Sequence, residues 1–68
     1  MSNLKGYRVL AGYTQEEFSS LLGISRVMYC YKETGTRAFS EEERKRILHH
    51  LNKKIPSLTM EELFPIGE

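Results

Sequence analysis

The amino-acid sequence predicts an all-α fold, a compact domain of five helices. Apolar residues recur at spacings of three and four, and no alternating run is long enough to indicate a β-strand. Capping residues, glycines and prolines separate these periodic segments. Because 68 residues are too few for a second hydrophobic core, residues 1–68 are expected to form one domain.

The first helix is predicted from about Asn3 to Ala11, and Gly12 is expected to end it. Gly6 lies inside this segment and lowers its helix propensity. One side of the helix carries, at spacings of three and four, Leu4, Tyr7, Arg8 and Ala11.

The second helix is predicted from Gln15 to about Leu22. Thr14 is a typical N-cap residue, and Glu17, three positions later, has the spacing of a capping box. Gly23 tolerates a left-handed backbone at low cost, so the helix is expected to end there. The side chains expected to point inward are Phe18, Leu21 and Leu22.

The remaining helices follow from the same signals. Ser25 is expected to cap a third helix that continues to about Glu33 and ends at Thr34–Thr36. Ser40 and Glu43 predict the capping box of a fourth helix, which continues to about Lys53. It carries Ile47, Leu48 and Leu51. A short fifth helix or turn is predicted around residues 60–64, before Pro65.

The second and third predicted helices form a helix-turn-helix over about residues 14–34. Two helices joined by a short turn containing glycine are typical of this motif, and their close crossing requires a small side chain, which Ser19 provides. At 100° per residue, one side of the third helix carries Ser25, Tyr29, Lys32 and Glu33. The other side carries Val27, Cys30, Tyr31 and Thr34.

Tyr29 is therefore expected to anchor the third helix in the core. Val27, Cys30 and Tyr31 are left on a face that the rest of a small domain does not cover. A DNA major groove admits one helix, and apolar atoms there contact thymine methyl groups while arginine binds guanine. The exposed face is thus consistent with DNA recognition, although a partner protein or a second copy of the chain would also cover it.

The stretch "YTQEEFSSLLGISRVMYCYKETGTRAFS" resembles the helix-turn-helix of the lambda-repressor and Cro-like (XRE) regulators, and the resemblance extends from about Leu4 to Phe64. It implies that Gln15 binds a DNA phosphate and braces the first base contact. It implies base contacts from the recognition helix at Ser25, Arg26, Val27 and Tyr31, with Met28 and Cys30 beside them. It implies that a loop along the DNA backbone contributes Thr34, Thr36 and Arg37.

The resemblance also assigns structural roles. Arg8 and Glu33 match a pair that ties the first helix to the end of the third in many family members. Ser19, where alanine is more usual, and Gly23 would permit the close crossing and the turn. The Ser19 hydroxyl then needs a hydrogen-bond partner. Lys32 stands where an apolar residue is frequent, so either looser packing or an outward-pointing lysine stem is expected.

Composition limits the other functions. Ten Lys and Arg against nine Asp and Glu give a net charge of +1, so a basic face would have to arise from distribution. The single cysteine allows no internal disulfide, and neither a signal peptide nor a membrane-length apolar run is present, which predicts a cytoplasmic protein. The adjacent His49 and His50 lack metal-ligand spacing. No catalytic constellation is present, so neither enzymatic activity, a metal nor a cofactor is expected.

The sequence therefore predicts a DNA-binding transcriptional regulator that occupies a double-stranded operator, with the resemblance implying a repressor of phage or mobile-element origin. The alternative is a protein-interaction module such as an antitoxin or antirepressor. A weak homodimer is expected through the C-terminal apolar residues Ile55, Leu58, Met60, Leu63, Phe64 and Ile66.

Overall fold

A computed structural model describes residues 2–65, and within that span the chain is helical with no strand. The five helices are α1 (Leu4–Ala11), α2 (Gln15–Leu22), α3 (Arg26–Thr34), α4 (Glu41–Asn52) and α5 (Met60–Leu63). The predicted all-α, five-helix fold is confirmed, with element ends within about one residue of those expected. Gly6 does not interrupt α1.

The helix starts are set by side-chain hydrogen bonds close in sequence. Thr14, Ser40 and Thr59 each accept a hydrogen bond from the backbone N–H three residues on, in complete capping boxes. Ser25 accepts one from the Met28 N–H at 3.1 Å. At α1 the Asn3 side chain makes no cap; instead it donates to the Glu62 carbonyl at 2.9 Å, which joins the start of α1 to α5.

The core is formed by one cluster of buried side chains from all five helices and the loops between them. Its aromatic members form a chain of ring contacts that extends to the half-buried Phe64. The distances between ring centroids are 6.1 Å for Phe18 and Tyr29, 5.9 Å for Tyr29 and Phe39, and 5.8 Å for Phe39 and Phe64. Such edge-on and tilted contacts suit the ring quadrupoles. The buried apolar residues are Leu4, Phe18, Leu22, Tyr29, Phe39, Ile47, Leu51, Leu58 and Leu63.

Leu21 is exposed, at 37% of its full accessibility, so its predicted inward position is wrong. The buried stripe of α2 is made by Phe18, Ser19 and Leu22. Because the small Ser19 belongs to that stripe, its centre lies between Phe18 and Ser19 around the helix. Leu21 then points roughly 100° away from the core.

The predicted dimer surface also needs correction. Leu58 and Leu63 are 6% and 0% exposed because both pack into the core beneath α4, so neither can line an interface. Ile55, Met60 and Phe64 remain half-buried. Ile66 lies outside the described residues.

Alanine substitutions at two glycines are expected to have opposite effects on the stability of the fold. Gly23 has φ 71°, and a side chain there meets open space, so Gly23→Ala should cost about 1 kcal/mol from backbone strain alone. Gly6, in the first turn of α1, also faces open space but has ordinary helical geometry, so Gly6→Ala should stabilise by about 0.5 kcal/mol. Urea unfolding of both variants measures the difference. A neutral Gly23→Ala would contradict the left-handed turn between α2 and α3.

Candidate nucleic-acid interface

The packing of α2 against α3 gives the helix-turn-helix its geometry. Ser19 is 4% exposed at the crossing, and its hydroxyl donates to the Glu16 carbonyl at 2.8 Å, which satisfies the group that serine adds there. The Ile24 N–H donates to the Ser19 carbonyl at 3.0 Å, which closes the turn after Gly23. Ser19 therefore lies buried in α2 at the crossing, and Gly23 ends α2 in the left-handed conformation.

The face of α3 that points away from the core carries an arginine beside apolar side chains. Val27 and Tyr31 are 62% and 46% exposed, and Arg26 and Thr34 are also exposed. Met28 and Cys30 are half-buried at the edges of this face. On the opposite side Tyr29 is completely buried, as predicted, and holds the helix in place. We call the exposed set of Arg26, Val27, Tyr31 and Thr34 the α3 face.

The segment after α3 is held close to its end. Thr34, which the resemblance placed in this loop, is the last residue of α3, and its hydroxyl donates to the carbonyls of Cys30 and Tyr31, at 3.0 and 3.2 Å. The Arg37 N–H donates to the Tyr31 carbonyl at 3.1 Å, so the chain folds back on α3. Thr36 and Arg37 are both exposed in this loop, adjacent to the α3 face.

A buried ion pair connects α1 to α3. Arg8 donates to both carboxylate oxygens of Glu33, at 2.8 Å through Nε and 3.2 Å through Nη2. The remaining terminal nitrogen, Nη1, donates to the Tyr13 carbonyl at 2.7 Å. Both charged side chains are less than one-tenth exposed. The pair that the resemblance implied is thus present in a bidentate geometry, which is the strong form of such contacts.

Glu33 accepts hydrogen bonds from two further residues. The Tyr29 hydroxyl donates to Oε2 at 2.7 Å, and the Gln15 amide Nε2 donates to Oε1 at 3.0 Å. One carboxylate therefore joins α1, α2 and α3 at the base of the candidate interface. Gln15, predicted to bind phosphate, lies half-buried at this junction with one of its two amide hydrogens already used.

The network keeps both partners of the pair ionised. For Glu33, burial favours the neutral acid, but its three hydrogen-bond donors outweigh that effect and lower its pKa. The hydrogen bond to Glu33 raises the pKa of Arg8, against the opposing effect of burial. The pKa of Tyr29 is also raised, mainly by burial and then by its hydrogen bond to the carboxylate. At neutral pH the site is therefore a fixed ion pair with a neutral phenol.

Lys32 neither loosens α3 nor points into solvent, contrary to both sequence-based expectations. Its Nζ donates to both carboxylate oxygens of Glu43, at 2.7 and 2.9 Å, and lies 5.9 Å from the centroid of the Phe39 ring. Both members of the pair are about 85% shielded. The lysine therefore joins α3 to the start of α4, a contact that depends on tertiary geometry.

Lys5 of α1 was not among the residues that the sequence indicated. It lines an open groove with Thr14, Gln15 and Arg26, next to the α3 face. Its spacing from Arg8 places it on the neighbouring strip of α1, and that 3-residue spacing was the only signal that could have indicated it.

Acid should unfold the domain through its two shielded carboxylates. Burial opposes the ionisation of Glu43, but the hydrogen bonds from Lys32 and from the Ser40 N–H outweigh it and lower its pKa, as at Glu33. The unfolded chain then takes up protons first, so stability should fall as the pH drops below about 4.5 and through the lowered values. Urea midpoints measured from neutral pH to about pH 3 test this.

The matched control for this pH dependence is Glu43→Gln, which removes one of the two groups and keeps the side-chain shape. Its urea midpoint should be lower at neutral pH and should change less on acidification. Parallel profiles for this variant and the wild-type protein would show that Glu43 titrates alike in the folded and unfolded chain.

The described part of the chain has neither a cluster of metal ligands nor a membrane-spanning helix. No three His, Cys, Asp or Glu side chains within residues 2–65 lie close enough together to hold a metal ion. None of the five helices combines the length and apolar character needed to cross a membrane.

The comparison with known families agrees with this geometry. The model of the helix-turn-helix family matches residues 4–58, which include α1 to α4 and the loop after α4. No curated protein and no solved structure matches the chain significantly. The family match covers most of the sequence, and the arrangement of α2 and α3 is the one that gives the family its name. The chain therefore belongs to the helix-turn-helix family of DNA-binding regulators, of the lambda-repressor and Cro-like type.

Proposed function

We propose that the protein regulates transcription by occupying a specific double-stranded DNA operator, with the α3 face in the major groove. The observation that carries the proposal is the composition of this face. Arg26, Val27 and Tyr31 are exposed together on a helix whose opposite side is anchored by the fully buried Tyr29. A rigid helix is what groove recognition requires, because loosely held side chains lose binding free energy when they become ordered.

The chemistry of the α3 face fits base edges. Arg26 is the first residue of α3, where a recognition helix comes closest to the bases, and arginine pairs with guanine O6 and N7. Val27 and Tyr31 are one helical turn apart and would contact thymine methyl groups. The Tyr31 hydroxyl adds one polar group on the same face. Specificity would then rest on few hydrogen bonds and on apolar shape.

The DNA backbone contacts are proposed at both ends of the motif. Ser25, which caps α3 between these ends, is instead proposed as a base contact, because it is exposed and its hydroxyl keeps a hydrogen to donate while its oxygen caps the helix. Thr36 and Arg37 are exposed in the loop after α3, and Gln15 keeps one amide hydrogen beyond the one it gives to Glu33. Met28 and Cys30 are half-buried at the edge of the α3 face, and their side chains would pack against the DNA there.

We also propose that two copies bind one operator. A single recognition helix covers about half of a palindromic site, and two-fold dimers place their helices about 34 Å apart along the duplex. Of the C-terminal apolar residues within the described chain, Ile55, Met60 and Phe64 keep part of their surface for a contact between copies. Operator occupancy would repress by excluding polymerase. The origin from a phage or mobile element stays a prediction of the sequence.

Selection of binding sites from a pool of random duplexes, followed by titration at two salt concentrations, tests this function. We expect a defined sequence with two half-sites about 10 base pairs apart and a steep loss of affinity at the higher salt. A single half-site would contradict the dimer alone. If no sequence is selected and no salt-dependent binding is seen, the proposed regulatory function is wrong. That result would favour a module whose α3 face binds protein.

A further inference from the structure

The groove between α1 and the start of the helix-turn-helix contains a lysine outside that motif. Lys5 of α1 faces the groove together with Thr14, Gln15, Glu16 and Arg26. We propose that Lys5 binds a phosphate of the DNA backbone and extends the interface from the helix-turn-helix onto α1. The inference rests on the proposed function and adds a contact residue to it.

Other polar groups of the groove are less suited to this contact. Arg8 is 7% exposed, and its three nitrogens are used by Glu33 and by the Tyr13 carbonyl. Its positive charge is neutralised by Glu33 at 2.8 Å. Gln15 is uncharged and has given one of its amide hydrogens to the same carboxylate. Neither supplies a free positive charge to an approaching phosphate.

Two cations then remain at the groove, and their positions suit different contacts with DNA. Arg26 begins α3 and extends the face that reads bases, whereas Lys5 lies one helix away on α1. Lys5 is exposed, and among residues 2–65 no carboxylate approaches its ammonium group within 4.0 Å. Glu16 offsets one of the two positive charges, which leaves the exposed charges of the groove at +1.

Lys5 has the properties of a contact that positions the protein and does not read sequence. Its ammonium is a compact point charge with three donors, which suits a phosphate oxygen, and phosphate contacts carry no direct sequence information. A second contact point on α1 would fix the angle at which α3 enters the groove. The Lys5 contact should therefore strengthen binding to every duplex by the same factor.

The test compares Lys5→Gln with Lys45→Gln, each titrated against the selected operator and against an unrelated duplex. Lys45 is the matched control, since it lies on α4, is 70% exposed and faces Glu41 at 3.7 Å. Losing one phosphate contact should lower the slope of log K against log salt by about 0.9. The factor by which Lys5→Gln binds more weakly than the wild-type protein should thus decrease about 3.5-fold between 50 and 200 mM salt on both duplexes.

The expected result is an equal loss on both duplexes with a smaller salt slope for Lys5→Gln and no change for Lys45→Gln. Unchanged binding by Lys5→Gln, a loss on the operator alone, or an equal loss in the control would overturn the inference while the wild-type titration still supported the proposed function. Failure of the wild-type protein to bind either duplex would overturn the function itself.

Discussion

Replacing Glu33 with alanine is expected to remove much of the stability of the domain. The substitution leaves the Arg8 guanidinium buried without its counter-charge and deprives the Tyr29 hydroxyl and the Gln15 amide of their acceptor. Stranding one member of a buried pair costs about 3 kcal/mol or more. In a domain of this size that shifts the thermal midpoint by about 15 °C.

The measurement is thermal or urea unfolding of Glu33→Ala beside Glu42→Ala. Glu42 is the matched control, because its side chain is 77% exposed and its ion pair within residues 2–65 is with Arg46 along the same helix, at 3.3 Å. Pairs of this kind contribute little. A midpoint for Glu33→Ala as close to wild type as that of Glu42→Ala would contradict a shielded Arg8–Glu33 pair.

Arg26→Ala is expected to change which DNA sequence the protein prefers. Arg26 is exposed at the first position of α3 and supports no part of the core, so the fold should be unaffected. Loss of a bidentate contact to guanine should cost about 1 to 3 kcal/mol on the operator and relax the preference at one base-pair position.

The control for charge is Arg46→Ala, which removes an exposed arginine of α4. Site selection with both variants separates the roles of the two arginines. A uniform loss by Arg26→Ala on all sequences, with a smaller salt slope, would mark Arg26 as a phosphate contact instead. No loss in either variant would remove α3 from the interface.

Features set by short-range chemistry were predictable from the sequence. Thr14 and Ser40 cap their helices because their hydroxyls reach N–H groups three residues away, whatever the rest of the chain does. Gly23 ends α2 because its backbone conformation is cheap only for glycine. The separation of Tyr29 from Val27 followed from the helical period alone.

Features set by long-range packing were not predictable in this way. The Arg8–Glu33 pair joins residues 25 positions apart and came only from the family resemblance. Phe39 lies in a loop, where no periodicity indicates that it is buried. Leu58 and Leu63 would be apolar whether they filled the core or lined an interface. Only the fold shows that they fill the core.

The exposure of the α3 face leads to one direct measurement. Amide chemical shifts of the ¹⁵N-labelled protein, recorded as the selected duplex is added, report which residues meet DNA. We expect the largest changes at Arg26, Val27, Tyr31 and Arg37. Little change is expected at Leu10, which is 74% exposed on α1 but lies outside the groove. Changes centred on Leu10 or on α5, with α3 unaffected, would contradict DNA recognition by α3.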